Sequence, residues 1–314
     1  IQVRTRSNLK WKPNAQTMAG GNGEGDKLNQ LSAPNGIYVD HQQQHIYITD
    51  YGNSRIVKWK LDGGSEEGEI VAGGNGRGNR IDQWNEPSDV IVDENNKSLI
   101  ICDRDNRRVV RWSLENPNGE KEILVENILC WGLIMNENGD LFVSDRVNHS
   151  VKRWRKGEIG KGGEGTIVAG GNGYGDKLNQ LKCPSYIFIG REETIYVSDQ
   201  YNHRVMKWLK GASEGIVVAG GQGQGNSLNQ LNHPQGLLVN EVGDIYVADS
   251  GNHRIMCWSV ESKESRVVVG GNGEGEGSNQ LNNPIGLSFD VENNLYVVDQ
   301  WNHRIQRFKV DNKD

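Results

Sequence analysis

One Gly-rich phrase recurs through the chain and narrows what it can fold into. It reads AGGNGEGDKLNQLSAP from Ala19, AGGNGRGNRIDQWNEP from Ala72, AGGNGYGDKLNQLKCP from Ala169, AGGQGQGNSLNQLNHP from Ala219 and VGGNGEGEGSNQLNNP from Val269. A second phrase follows each copy and occurs once more without the Gly loop: ITDYGNSRIVKW, ICDRDNRRVVRW, VSDRVNHSVKRW, VSDQYNHRVMKW, VADSGNHRIMCW and VVDQWNHRIQRF. Its marker residues Asp50, Asp103, Asp145, Asp199, Asp249 and Asp299 lie 53, 42, 54, 50 and 50 positions apart. Six copies of one unit therefore fill the chain. Repetition at this period signals a propeller or solenoid and overrides the two-domain expectation from a length of 314 residues.

Each unit reads as four strands, here a to d. A short apolar run follows the Pro, as in Gly36-Ile37-Tyr38-Val39, and a second ends at the marker Asp, as in Ile46-Tyr47-Ile48-Thr49. An Asn-containing turn leads to Arg-Ile/Val-x-x-Trp, and a variable loop leads to the run before Gly-Gly. Short β-branched runs broken by turn chemistry, with no helical period, predict an all-β chain whose sheets stack face to face. The chain begins with a d-type strand, Thr17-Met18-Ala19, and ends with an a, b and c set from Ile285 to Val310 that lacks its d strand. The expected fold is a closed six-bladed β-propeller of four-stranded antiparallel blades, the N-terminal outer strand pairing with the C-terminal blade and leaving no open sheet edge.

The phrase P-x-G, four apolar residues, then (I/L)YV-x-D-x-x-N-H-R-I, seen best from Pro234 to Ile255 and Pro284 to Ile305, resembles the NHL repeat. The resemblance covers about residues 17–310 and implies a single propeller domain, flanked by an extension at 1–16 and a tail at 311–314. NHL-type propellers bind proteins, RNA or glycans, and related six-bladed rings carry enzymes, so the resemblance leaves the function open. ITDYGNSRIVKW and ICDRDNRRVVRW are also similar to blades of the peptidyl-hydroxyglycine amidating lyase, a metal-dependent enzyme, but its inward metal-binding His residues have no evident counterparts here. Only His233 lies near the start of an inner strand.

Residues present in nearly every blade are expected to build blades. Much of the excess among the 41 glycines lies in the d-to-a phrase, where a strained connection needs positive φ; no Lys-Ser/Thr follows and no helix is predicted, which argues against a P-loop. Asp50 and Arg55, repeated as Asp103/Arg108, Asp199/Arg204, Asp249/Arg254 and Asp299/Arg304, are expected to form a ring of interblade ion pairs. Trp59, Trp112, Trp154, Trp208, Trp258 and Phe308 would fill the wedge where blades splay apart. His149, His203, His253 and His303 sit in the turns of separate blades, too far apart to share one zinc ion, and no cofactor is expected.

Function is expected where the repeats differ on the top face, formed by the d-to-a and b-to-c loops around the channel mouth. After the Pro stand Asn35, Ser88, Trp131, Ser185, Gln235 and Ile285. After the marker Asp stand Tyr51-Gly52, Arg104-Asp105, Arg146-Val147, Gln200-Tyr201, Ser250-Gly251 and Gln300-Trp301. Tyr51, Trp131, Tyr201 and Trp301 are candidate aromatic anchors for a peptide or sugar. Arg77, Arg80, Arg104, Arg107 and Arg146 could hold a carboxylate or phosphate, with Asp82, Glu86 and Asp105 neutralising part of the cluster, whereas Glu24, Asp26, Glu274 and Glu276 make the loops into blades 1 and 6 acidic. Blade 3 is the irregular unit. Its Gly loop is missing, Cys130 replaces the Pro, Trp131 replaces a small or polar residue, and Ser150 replaces the Arg, so Asp145 needs Arg146, Lys152 or a ligand as partner. A binding notch is expected there.

The net charge of −6 and the absence of a broad basic face argue against nucleic acid as partner. No window approaches the roughly 18 apolar residues of a membrane span, and IQVRTRSNLK lacks the apolar core of a signal peptide. Cys102 and Cys257 read as packed thiols, while Cys130 and Cys183, at nearly equivalent strand starts in neighbouring blades, could bridge. Asn96-Lys97-Ser98 and Asn148-His149-Ser150 match the glycosylation sequon and favour a secreted setting, Asn96 being the better acceptor because it falls in a turn. The primary reading is a monomeric, non-catalytic module whose top face holds a protein, peptide or glycan. A metal-dependent enzyme is the second reading and RNA binding the third.

Overall fold

The computed structural model describes residues 9–40, 42, 44–61, 66–117, 119, 121–262 and 264–311. Residues 1–8 of the expected extension and 312–314 of the expected tail lie outside the described residues. Six four-stranded antiparallel sheets form the chain, each running a, b, c, d from the inside outwards. Blade 1 comprises Ile37–Asp40, His45–Asp50, Arg55–Lys60 and Glu69–Gly73; blade 2, Pro87–Asp93, Ser98–Asp103, Arg108–Ser113 and Glu122–Glu126; blade 3, Cys130–Met135, Leu141–Asp145, Ser150–Trp154 and Thr166–Gly170. Blade 4 comprises Pro184–Ile189, Ile195–Asp199, Arg204–Trp208 and Ile216–Gly220; blade 5, Pro234–Val239, Ile245–Asp249, Arg254–Trp258 and Ser265–Gly270. Blade 6 has Pro284–Phe289, Leu295–Asp299 and Arg304–Phe308, and takes Gln16–Gly20 as its d strand. The a strands touch in succession around the ring, blade 6 meeting blade 1.

Position within a blade explains strand composition. The b strands have sheets stacked on both faces, so Leu295–Asp299 is buried at every residue, whereas the outer d strand Thr166–Gly170 exposes its first two. The c-strand aromatic rings are buried at Trp59, Trp112, Trp154, Trp208 and Phe308, while Trp258 is half-buried.

The ring closes through Gln16↔Arg307, Ala19↔Ile305 and Gly20↔Arg304. The contact begins further upstream than the repeat phrases indicate. Asp311 N–H donates to Lys10 O and Lys12 N–H to Lys309 O, each at 2.8 Å. Trp11 stacks on Phe289, meets Tyr246 edge to face and donates its indole N–H to Asn293 O at 2.9 Å. At the exit from the closing strand, Gly20 has φ +66°, and a Cβ there would lie 2.3 Å from the His303 carbonyl oxygen, so no larger residue fits. The following loop is knitted by its own amides: Asn22 Nδ2 donates to Asn29 O and Gln30 Nε2 to Asn22 O, both at 2.9 Å.

The Asp-Arg pairs are not interblade contacts. Asp50 and Arg55 face each other at the ends of strands b and c in one hairpin, with Arg55 Nε 2.6 Å from Asp50 Oδ2. A turn of only four residues holds the two side chains together before another blade can intervene. The rest of the guanidinium reaches the loop arriving from the preceding blade, donating to Asp26 O, Lys27 O and Gln30 O. Asp50 also accepts Ser32 N–H and Asn53 Nδ2, so with Arg55 Nε the fully buried carboxylate accepts three hydrogen bonds. The same clamp recurs at Arg108, Arg204, Arg254 and Arg304.

Blade-to-blade contacts at this level come from histidine. His203 Nδ1 accepts the backbone N–H of His233, His253 that of Asn283, His303 that of Ala33 and His149 that of Cys183, at 3.0 to 3.4 Å. Each donor precedes the Pro of the next blade and has positive φ, between 43° and 52°.

The expected bridge between Cys130 and Cys183 is replaced by a disulfide between Cys102 and Cys130, whose Cα atoms lie 5.9 Å apart. Cys102 is the penultimate residue of strand b of blade 2, beside the a strand of blade 3, which brings the pair together. Cys183 and Cys257 are free thiols, so of the two expected packed thiols only Cys257 remains one.

Candidate functional site

The d-to-a and b-to-c loops share one face, since Asn53 Nδ2 donates to Gly25 O at 2.8 Å, and this contact recurs in blades 2, 4, 5 and 6. The residues after the Pro line the channel wall behind this face. Asn35, Ser88, Ser185, Gln235 and Ile285 are all buried, and Trp131 is half-buried. Of the residues after the marker Asp, the first turns inwards and the second outwards: Gln200, Ser250 and Gln300 are buried, whereas Tyr201 and Trp301 are 41% and 56% exposed. Tyr201 meets His233 edge to face, and Trp301 stands apart on blade 6.

Blades 1 to 3 bring four of the predicted residues into one ladder. Arg104 stacks on Tyr51 and on Trp131, each with 5.3 Å between guanidinium carbon and ring centroid, and Arg146 stacks on Trp131 at 4.3 Å. Arg104 Nη1 donates to the Tyr51 hydroxyl at 2.7 Å, and Tyr51 donates to Glu86. Burial, reinforced by the Glu86 carboxylate, holds the Tyr51 phenol well above its ordinary range. Arg104 also pairs with Glu86 and Asp105, Arg77 with the same two residues, and Arg80 with Asp82. The acidic neighbours therefore neutralise these three arginines.

Arg146 is different. It is half-buried in the turn of blade 3, and burial pulls its guanidinium below the usual arginine range. Its Nη1 is buried without a hydrogen-bond partner, and no carboxylate among the described residues forms an ion pair with it. The carboxylate beside it in sequence is already committed: Asp145 accepts Val147 N–H, Asn148 N–H and Asn148 Nδ2, and Lys152 Nζ stands 3.4 Å away. Lys152 thus takes the place of the arginine that Ser150 replaces. Other polar atoms of this channel end are also buried without partners, namely Asn35 Nδ2, Trp131 Nε1, Gln200 Oε1 and Gln235 Oε1.

Two channel residues escaped the sequence reading although the repeat alignment carried a signal. The Gly of P-x-G is Gly36, Gly132, Gly236 and Gly286 in four blades but Asp89 in blade 2 and Tyr186 in blade 4. Tyr186 crosses the channel and donates to Asn35 Oδ1 at 2.7 Å, filling space that the glycines leave. Asp89 accepts Val90 N–H at 3.0 Å and Leu133 N–H at 2.9 Å, and burial pushes its carboxyl up to about 7. The opposite mouth was missed altogether. The ends of all six a strands surround a cavity of about 570 Å³ there.

The glycosylation candidates Asn96 and Asn148 are both exposed in turns, and each donates its side-chain amide to an Asp three residues earlier, at 2.6 Å.

A family model described as NHL repeat matches residues 31–59, 231–258 and 281–308, three of the six blades just described. The chain is an NHL-repeat six-bladed β-propeller. This NHL-repeat propeller shares its fold with an auxiliary nutrient binding protein from Bacteroides thetaiotaomicron, at TM-score 0.72 and 16% identity over 94% of this chain and 76% of that one. A gluconolactonase from Xanthomonas campestris superposes at TM-score 0.64 and 13% identity, covering 99% of this chain and 100% of the other. Virginiamycin B lyase from Staphylococcus aureus gives 0.55 and 13%, covering 92% and 99%. At these identities the likeness extends to the fold alone. No curated protein matches the sequence.

The metal implied by the amidating-lyase resemblance does not fit these residues. The four turn histidines lie on different blades and use Nδ1 for backbone contacts, and His233 packs against His203 and Tyr201. Among the described residues no three His, Cys, Asp or Glu side chains converge on a common point.

Proposed function

We propose that this propeller is a non-catalytic recognition module that holds a protein, peptide or glycan partner on its top face, through a carboxylate or phosphate presented to Arg146. The observation that carries this reading is the half-buried Arg146, whose Nη1 is buried and unpartnered and which has no carboxylate of its own. A buried charge without a counter-ion is costly, and an anion from a ligand removes that cost while gaining a charge-assisted hydrogen bond. Trp131 supplies a flat wall beside it, held between the two arginines, and Tyr201 gives an exposed anchor on the adjoining blade. The unpartnered Asn35 Nδ2 offers a donor, and Gln200 Oε1 and Gln235 Oε1 offer acceptors, to the polar part of a ligand.

Array binding tests the reading, with acidic peptides against their amidated forms and uronate-containing against neutral oligosaccharides. The acidic members should bind, and Arg146→Gln should weaken them by at least tenfold while neutral members stay unbound. Unchanged ligand binding in both Arg146→Gln and Trp131→Ala would overturn it. Peptide-only or glycan-only binding would name the partner class.

A further inference from the structure

We propose that the opposite, bottom mouth of the channel is a second binding site, for a small amphipathic cation: an ammonium group carried on an apolar body. The cavity of about 570 Å³ is of the size that encloses a small organic molecule, and every blade contributes to its wall. Ile91, Met135, Phe188, Leu238 and Phe289 line it with apolar surface. Of these, all but Phe289 remain partly open to solvent, an unfavourable exposure that an apolar ligand body would relieve. The far end is closed, because Tyr186 lies two residues above Phe188 on the same strand and spans the channel to Asn35. A ligand would therefore enter from the bottom with its apolar part first.

The rim decides the sign of the head group. Its charged residues are Glu94, Glu137, Glu192, Glu193 and a single Arg191. Glu193 is engaged by Arg153 and Lys210, each at 3.1 Å, but among the described residues no basic side chain pairs with Glu94, Glu137 or Glu192. Carboxylates around a concave, apolar-walled mouth concentrate negative potential at the opening, which favours a cation and disfavours a fatty acid or an organic anion. The backbone also holds the rim in an unusual form. Glu192 and Glu193 both have φ of 55° in the turn Arg191–Glu193, where blade 3 places Gly139 at the left-handed position. This site is independent of Arg146, which belongs to the other face.

Calorimetry with decyltrimethylammonium, decanoate and decanol, each below its micellar concentration, tests the proposal on the full chain. The ammonium should bind at least tenfold more tightly than decanoate, and the advantage should shrink as salt is raised. The exposed double variant Glu137→Gln/Glu192→Gln should fold normally and weaken ammonium binding about fivefold without weakening decanol. Met135→Trp, which fills the chamber, should abolish binding of all three; Ser288→Phe serves where the first variant does not fold. Arg146→Gln should leave ammonium binding unchanged, separating this site from the top-face reading. Equal affinity for decanoate and the ammonium, or undiminished binding in a folded chamber-filling variant, would overturn the proposal.

Discussion

His203 Nδ1 accepts the backbone N–H of His233 across the boundary between blades 4 and 5, at 3.2 Å. Because the nitrogen acts as an acceptor, the ring must be neutral at that atom. Burial and the neighbouring His233 both hold the His203 pKa below its ordinary value. The folded pKa thus lies under the unfolded one, so this stability is present above pH ~6.5 and is lost as the pH falls through the lower folded value. His203→Ala should cost about 1 kcal/mol at pH 8, and the difference from wild type should narrow towards pH 5. Melting temperatures at a series of pH values check this; a constant difference would show that the contact does not titrate.

Arg204 should matter far more than a surface arginine. It joins the fully buried Asp199 to three carbonyl groups of the incoming loop. Arg204→Ala leaves a buried carboxylate without its cation and should cost about 3–5 kcal/mol. In blade 3, Lys152 stands 3.4 Å from Asp145 and no loop clamp is formed, so Lys152→Ala should cost less. Denaturant unfolding of the two variants compares them directly.

Asp89 should make the protein less stable as the pH rises from acid towards neutrality. Its folded pKa of about 7 lies above the unfolded value near 4, so the associated stability is full below pH ~4 and is lost as the pH rises through about 7. The loss should amount to a few kcal/mol by pH 8. Asp89→Asn, which cannot ionise, should remove this part of the pH profile, and a profile unchanged by the substitution would refute the assignment.

Reduction should loosen the side of the ring that carries Trp131. The Cys102–Cys130 bridge closes a chain segment with a sequence separation of 28, for which loop-closure entropy gives about 3–4 kcal/mol. Cys102→Ser/Cys130→Ser should lower stability by roughly that amount, and hydrogen exchange should quicken first in Cys130–Met135.

Removing the Trp11 ring should open the closure. The ring is buried between Phe289 and Tyr246, outside the closing strand itself, so Trp11→Ala should cost about 3–5 kcal/mol. Limited proteolysis should then cut first ahead of Gln16.

The architecture was legible because each blade repeats the same instructions. Six marker Asp residues counted the blades, and the d-type strand before Ala19 without its own a, b and c partners indicated how the ring closes. Loop glycines, c-strand aromatics and the irregularity of blade 3 could also be read in one dimension, since they depend on local backbone form or on position within one unit.

Pairing choices could not be read that way. Cys183 looked like the partner of Cys130 and Cys102 like a packed thiol, and only the lateral packing of blades 2 and 3 brought Cys102 against Cys130. Asp and Arg looked like interblade partners until the hairpin placed them side by side, and the histidines took over the blade junctions. The arginines of blades 2 and 3 looked alike in sequence, yet Arg104 is neutralised by Glu86 and Asp105 while Arg146 is not, because Lys152 occupies Asp145. The bottom chamber had no motif, since each strand contributes mostly ordinary apolar residues to it. Sequence by itself determined the repeated unit, its number and its closure, all of which follow from local patterns. Tertiary structure decided which charges are compensated and where space remains, because both depend on residues from separate blades meeting around one axis.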